Sequence, residues 1–258
     1  MGFFDVLAPY VKYILPLNCF LAVLLIRLYL ITPGLYQDPT QAHVYRAMRD
    51  IKKRTKPAKL VVVLGSGGHT SEMLQLLQNL DFVNKYAHRT YVVAENDELS
   101  MEKARAFEAA KPSLMGSEKK KSSSSSSSGN VSAKAAVEGF DFEFRRVRRL
   151  RNVGESWYVV PHRLVLQFLA DAWFLVRTRP DVVLCNGPGT SVPIALASYV
   201  PRALWIKWIS LMYVESAARV KTISLAGAMI YPIADRFFVQ WPELQKAYER
   251  SEYRGLLV

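Results

Sequence analysis

The stretch that decides the fold is LVVVLGSGGHTSEML, residues 60–74. An apolar run leads into three glycines and a histidine, and a helical pattern follows. The run VVVL suits a strand buried on both faces, and glycines free of side chains let backbone N–H groups approach an anion at a helix start. Thr70 is placed to cap that helix, and Glu72 suits its dipole. The two familiar nucleotide motifs are not met. The dinucleotide fingerprint needs a third glycine where Thr70 stands, and a P-loop needs Gly-Lys-Ser/Thr where the chain has Gly68-His69-Thr70. The turn therefore predicts an anion site, formed by Gly65, Ser66, Gly67, Gly68 and Thr70, without specifying a nucleotide. His69 can accept a proton from an attacking hydroxyl or donate a hydrogen bond to a phosphate.

Working outward, residues 60–64, 90–94, 140–146, 181–185, 203–206 and 236–240 read as strands. Helical patterns fall at 70–79, 98–110, 157–177, 190–199 and 217–228. This alternation predicts an α/β fold: one Rossmann-like domain over residues 59–258, with a mostly parallel sheet and ligands at the carboxyl ends of its strands. A second turn, NGPGTS, repeats the first and adds Asn186, Gly187, Gly189, Thr190 and Ser191 to the anion cradle. A third segment, YVESAAR, offers Glu215 for a sugar hydroxyl and Arg219 for a phosphate, or else a glutamate on a solvated helix start. The segment 157–177 is apolar almost all round, which predicts a mostly buried helix whose Trp157-Tyr158 start touches the bilayer.

The rest of the chain concerns the membrane. Residues 13–32 form a 20-residue apolar window broken by Asn18, Arg27 and Thr32, about the length that spans a bilayer. Arg27 lies near enough to its end to snorkel toward headgroups. Residues 1–33 thus read as an N-terminal transmembrane anchor and 34–58 as a basic juxtamembrane helix, an asymmetry that puts the main domain in the cytosol. The 258 residues carry 34 basic and 22 acidic side chains, net +12, which favours anionic lipid or phosphorylated partners. The basic run FEFRRVRRLR, 142–151, lacks the interleaved aromatics of a nucleic-acid module and faces lipid more simply. Cys19 and Cys185 imply no disulfide framework. No metal-ligand spacing occurs, and no cofactor is expected. Residues 111–138, with EKKKSSSSSSSGN, are too polar to fold and read as a disordered insertion.

Taken together, LGSGGHTSEML, AENDELS, SWYVVPH, NGPGTSVPIA, YVESAARVKTISLAG and YPIADRFFVQWPEL resemble the membrane-anchoring subunit family of the eukaryotic two-part N-acetylglucosaminyltransferase. That family is in turn similar to the amino-terminal half of the bacterial transferase that adds GlcNAc to a lipid-linked muramyl peptide. The resemblance implies the acceptor half of a GT-B glycosyltransferase at the endoplasmic reticulum membrane. Its acceptor is dolichol-diphosphate-GlcNAc. UDP-GlcNAc is bound only through a soluble donor-binding subunit, and transfer is inverting. It further implies that Gly65, Gly67, Gly68 and His69, the second turn and Glu215 contact the acceptor, with His69 the candidate catalytic group. The apolar tail Leu256, Leu257 and Val258 is then the partner interface. One Rossmann-like domain leaves the donor half to another chain. The alternative is a non-catalytic membrane scaffold for a self-sufficient partner enzyme.

Overall fold

The computed structural model describes residues 3–35, 56–82, 84–86, 88–110, 141–150, 155–156, 158–187 and 189–257. Of the juxtamembrane helix expected at 34–58, residues 36–55 lie outside the described residues, as does the insertion expected at 111–138.

Seven strands form one parallel sheet: β1 (Lys59–Val63), β2 (His88–Ala94), β3 (Asp141–Val147), β4 (Val182–Asn186), β5 (Ser210–Val214), β6 (Arg236–Val239) and β7 (Ser251–Tyr253). Their order is β3-β2-β1-β4-β5-β6-β7, with every neighbouring pair parallel. The chain runs outward from β1 to β3, then returns to lay β4 beside β1, with Val63 opposite Cys185. That reversal opens a crevice between β1 and β4 at their carboxyl ends, the place where ligands of open α/β sheets sit.

Period-two alternation sorts the side chains into two cores. Val61, Val63, Val183, Cys185, Leu211, Tyr213 and Phe237 point to one face. That face is covered by the end of α1 (Phe3–Ile31), by α4 (Val159–Thr178), by the short α5 (Ser191–Ala197) and α6 (Tyr199–Ala203), and by α7 (Leu225–Ile230). Leu60, Val62, Leu64, Tyr91, Val93 and Phe142 point to the other face. There α2 (Gly68–Gln78) and α3 (Glu98–Ala110) cover the β1–β3 half. The short α8 (Pro242–Ala247) leads into β7. Because each helix runs back against its strand, α3 ends at the amino-terminal edge of the sheet, where β3 begins.

Several expectations are corrected. Residues 203–206 are not a strand: Trp205 adopts φ +55, a left-handed conformation that no strand accepts, and β5 begins only at Ser210. Residues 215–224 are not helical. The helix starts at Leu225, where the Ser224 hydroxyl accepts a 2.9 Å bond from the Gly227 N–H. Neither Thr70 nor Thr190 caps its helix through the side chain. Glu72 lies beyond the first turn of α2. Strand β7 carries no apolar run and was not anticipated.

Two further corrections concern the apolar helices. Far from being mostly buried, α4 exposes Val165, Leu166, Leu169 and Trp173, and buries only Asp171, Ala172 and Leu175. Among the described residues it is the helix long and apolar enough to cross a membrane; the apolar stretch Pro16–Ile31 of α1 is shorter. Arg27 does not snorkel. Its guanidinium donates to the Arg202 carbonyl at 2.9 Å and stacks 4.2 Å from the Trp205 ring centroid. Leu24, Leu28 and Ile31 pack into the core alongside it, while Phe20, Leu21, Val23, Leu25 and Ile26 stay exposed. The exposed faces of α1 and α4 lie on the same side of the sheet, both helices resting on α6.

Candidate functional site

The crevice between β1 and β4 holds a cavity of about 470 Å³. Its polar end is made by Gly65 and Ser66 after β1 and by Gly187, Gly189 and Thr190 after β4, with the guanidinium-bearing Arg149 and Arg219 alongside. Its walls are apolar: Leu150, Val160, Leu164, Leu225 and Met229. Gly67 at φ +67 and Gly187 at φ +44 adopt left-handed backbone conformations that other residues strain to reach. The first lets the chain turn from β1 into α2. Arg149 donates to the Ser66 hydroxyl at 3.0 Å, so the basic run after β3 is tied directly to the first glycine turn.

The first turn is held from behind. The buried Thr70 hydroxyl donates to the Gly65 carbonyl and lies 2.7 Å from the Ser100 hydroxyl. Asp97 accepts from the Ser100 N–H at 3.2 Å. Burial pulls the Asp97 carboxyl upward, but hydrogen bonds from Ser100 and Ser66 and the charge of Arg149 hold it below the usual carboxylate range. Thr70 therefore shapes the turn and is not available to a ligand.

His69 and the second turn meet beside the cavity. The imidazole lies against Gly187, where a Cβ would come within 2.4 Å of its Cε1 atom. Its Nδ1 is 3.5 Å from Glu72 Oε2. Asn186, fully buried, donates from Nδ2 to Glu72 at 3.2 Å. Ser191 is also buried, with a long 3.5 Å bond back to the Asn186 carbonyl and a side-chain contact to Cys185. In the third segment Glu215 is corrected from a ligand contact to an internal tie. It is fully buried, and its carboxylate accepts from the Ser216 N–H at 3.1 Å and from the Ser224 N–H at 2.8 Å. Arg219 does reach the cavity, and is exposed.

Burial pushes the Cys185 thiol up to about 12, which keeps it from acting as a nucleophile. Among the described residues no group of three His, Cys, Asp or Glu side chains is placed to hold a metal. At the tail, Leu257 covers an apolar groove on the open half of the second sheet face, beside Leu184, Met212 and Phe238. The Leu257 N–H donates to Gln240 at 3.1 Å. Leu256 is exposed, and Val258 lies outside the described residues.

The profile of the family described as "Oligosaccharide biosynthesis protein Alg14 like" matches residues 60–257, from the start of β1 to the tail. The chain belongs to the Alg14 family. Among curated members it is similar to the UDP-N-acetylglucosamine transferase subunit ALG14 of Homo sapiens, 36% identical over 83% of this chain and 89% of that one. It is likewise similar to the subunit of the same name from Schizosaccharomyces pombe, at 36% over 82% and 89%. Among solved structures, MurG of Acinetobacter baumannii aligns with a TM-score of 0.46 and 12% identity, over 72% of this chain and 42% of that one. The chain thus spans less than half of that structure.

Within this Alg14-family chain the structure brings Gly65, Ser66, Gly187, Gly189, Thr190 and Arg219 together around one cavity, with His69 at its side. It withdraws Thr70, Ser191 and Glu215 into supporting positions. Arg149 and Glu72 are the additions. Arg149 carries a sequence signal in its basic run, but one that points to lipid and not to the turn. Glu72 suits a helix dipole in the sequence, and its contacts depend on three segments converging.

Proposed function

We propose that this chain is the membrane-anchored, acceptor-binding subunit of a heteromeric transferase. The complex adds the second GlcNAc, from UDP-GlcNAc, to dolichol-diphosphate-GlcNAc at the cytosolic face of the endoplasmic reticulum. The observation that carries this reading is the two-natured cavity. Backbone N–H groups at two glycine turns and two arginines suit a diphosphate, while Leu150, Val160, Leu164, Leu225 and Met229 suit the first units of a lipid chain. A free sugar nucleotide would not call for so apolar a wall. Relatives are named as transferase subunits, which accords with an active unit larger than this chain. The donor-binding half then belongs to a soluble partner, recruited in part through the tail at Leu256, Leu257 and Val258.

In this mechanism the glycine turns and Arg219 hold the acceptor diphosphate, and Arg149 steadies Ser66. His69 takes the proton of the sugar 4-hydroxyl as that oxygen attacks the donor anomeric carbon with inversion. Holding acceptor and partner at one membrane surface supplies proximity and orientation. The exposed apolar faces of α1 and α4 share one side of the sheet, and a larger groove of about 750 Å³ lined by Arg145, Arg146, Arg148 and Arg149 adjoins α4. An anchor in the bilayer and α4 lying on anionic lipid would set the cavity at headgroup depth.

The test is reconstitution. The full chain with its co-purifying soluble subunit should transfer GlcNAc from UDP-GlcNAc to a phytanyl-diphosphate-GlcNAc acceptor, and Arg219→Ala should raise the acceptor KM. Transfer by the soluble subunit alone, at an equal rate on a water-soluble acceptor, would favour the scaffold reading instead.

A further inference from the structure

Glu72 stands where the three motif segments meet. It sits on α2 one turn beyond His69, and its side chain is only 17% exposed. Oε2 lies 3.5 Å from His69 Nδ1 and accepts from Asn186 Nδ2 at 3.2 Å; Oε1 accepts a 2.8 Å bond from the Ser216 hydroxyl. One carboxylate therefore touches the first turn, the second turn and the third segment. His69 Nδ1 is cut off from solvent and has no hydrogen-bond partner within normal length. Glu72 Oε2 lies 3.5 Å from it, a distance that a bound substrate commonly shortens. Among the described residues, His69 is the group within ion-pair reach of Glu72 that can become positively charged. A carboxylate this enclosed needs such a neighbour.

We propose that Glu72 is the positioning residue of the transfer reaction, acting through His69; the proposal rests on the role given to His69 above. Glu72 accepts the Nδ1–H of the imidazole, which fixes the tautomer with a bare Nε2. When the acceptor 4-hydroxyl attacks, its O–H bond breaks and the proton passes to Nε2. The oxygen's electron pair forms the new bond to the donor anomeric carbon. The bond from that carbon to the diphosphate of UDP-GlcNAc breaks, and UDP leaves with the electrons. The imidazolium so formed is opposed by the Glu72 carboxylate. Because the same carboxylate also holds Asn186 and Ser216, the base is registered to the second turn and to the segment bearing Arg219. A helix-surface glutamate that merely favoured the dipole would make none of these contacts.

Glu72→Gln separates this role from a structural one. The amide keeps the shape and can still accept from Ser216, but it presents N–H groups toward Nδ1 and favours the opposite tautomer. In the full complex with the soluble subunit, kcat on the phytanyl-diphosphate-GlcNAc acceptor should fall about 10- to 100-fold, with KM within about twofold and assembly intact. In a His69→Ala background the same change should have no further effect on kcat. Wild-type kcat in Glu72→Gln, or an equal loss in both backgrounds, would overturn the proposal. Full activity of His69→Ala alone would instead remove the reading of His69 itself. A measurement independent of the variant is ¹⁵N NMR of the histidines in the wild-type complex. The expected signature for His69 is the Nδ1–H tautomer, and an Nε2–H tautomer would overturn the assignment.

Discussion

Gly187 gives up its side chain to the ring of His69. A Cβ at 187 would lie 2.4 Å from Cε1 and 2.7 Å from Nδ1, so the second turn can receive the histidine of the first only while residue 187 is bare. Gly187→Ala should therefore move the imidazole, and it also strains a backbone at φ +44, at a cost of about 1–2 kcal/mol. The expected outcome is at least about a tenfold loss of GlcNAc transfer with assembly retained. Steady-state kinetics of the reconstituted complex measures it.

Glu215 closes its segment from inside, and Gly227 is the residue that makes room. A Cβ at 227 would meet Glu215 Oε2 at 2.4 Å. Gly227→Ala should destabilise the domain by about 1–3 kcal/mol through overpacking. Glu215→Ala should cost about 1–3 kcal/mol by stranding the buried N–H groups of Ser216 and Ser224. The double variant should be less destabilised than the sum, since removing the carboxylate removes the clash. Denaturant titration of all three variants in detergent tests this.

Trp205 holds the end of the N-terminal helix against the domain through Arg27. Trp205→Gly removes the ring while accepting the φ of +55, so any effect reports the lost contact and not strain. Hydrogen exchange should quicken at the Gly34 amide, which donates to the Pro232 carbonyl at 2.8 Å, and stay unchanged in β1 and β4.

Exposed Trp173 on α4 should sit in lipid. In vesicles containing brominated acyl chains, the full chain's tryptophan fluorescence should be quenched, and Trp173→Phe should remove the largest share of that quenching. Equal quenching in the variant would keep α4 out of the bilayer.

Strand β7 is pinned to β6 by Arg236, which donates to Glu252 at 2.8 and 2.5 Å, with Arg254 adding a third bond. The hydrogen bonds from Arg236 hold the Glu252 carboxyl below its ordinary value even though burial opposes them. A depressed carboxyl pKa contributes stability that is fully present above the unfolded value, about 4.3, and is lost as pH falls through the folded one. The stability gap between the native protein and Glu252→Gln should thus be constant from pH 7 to 5 and close in more acid solution. Thermal unfolding across that range measures it.

The sheet and its crevice are legible because VVVL (61–64) and VVLC (182–185) are apolar at every position and a glycine turn follows each. The same logic misread residues 203–206. ALWI is as apolar as a strand, but its chain turns at Trp205 through bonds from the Trp205 and Ile206 N–H groups back to Arg202 and Pro201, and the Trp205 ring meets Arg27 from a segment far away in the chain. For α4 the residue pattern predicts the helix but not what surrounds it. A helix apolar on most sides looks alike whether protein or lipid covers it, and here the sheet covers one narrow strip. Glu215 and Ser191 carry the side chains expected of ligand contacts, yet their hydrogen bonds face inward, and a single sequence does not tell those directions apart. Glu72 escaped for a related reason. Its partners, Asn186 and Ser216, are more than a hundred residues away.

The path of α3 has one more consequence. It delivers the chain to the sheet edge opposite the glycine turns, and β3 departs from that same edge. The two ends of this connection, Ala110 and Asp141, therefore lie at the back of the domain, away from the glycine turns. That junction is a natural graft point. An epitope or fluorophore inserted there should report on the protein in its membrane while leaving sugar transfer at its native rate.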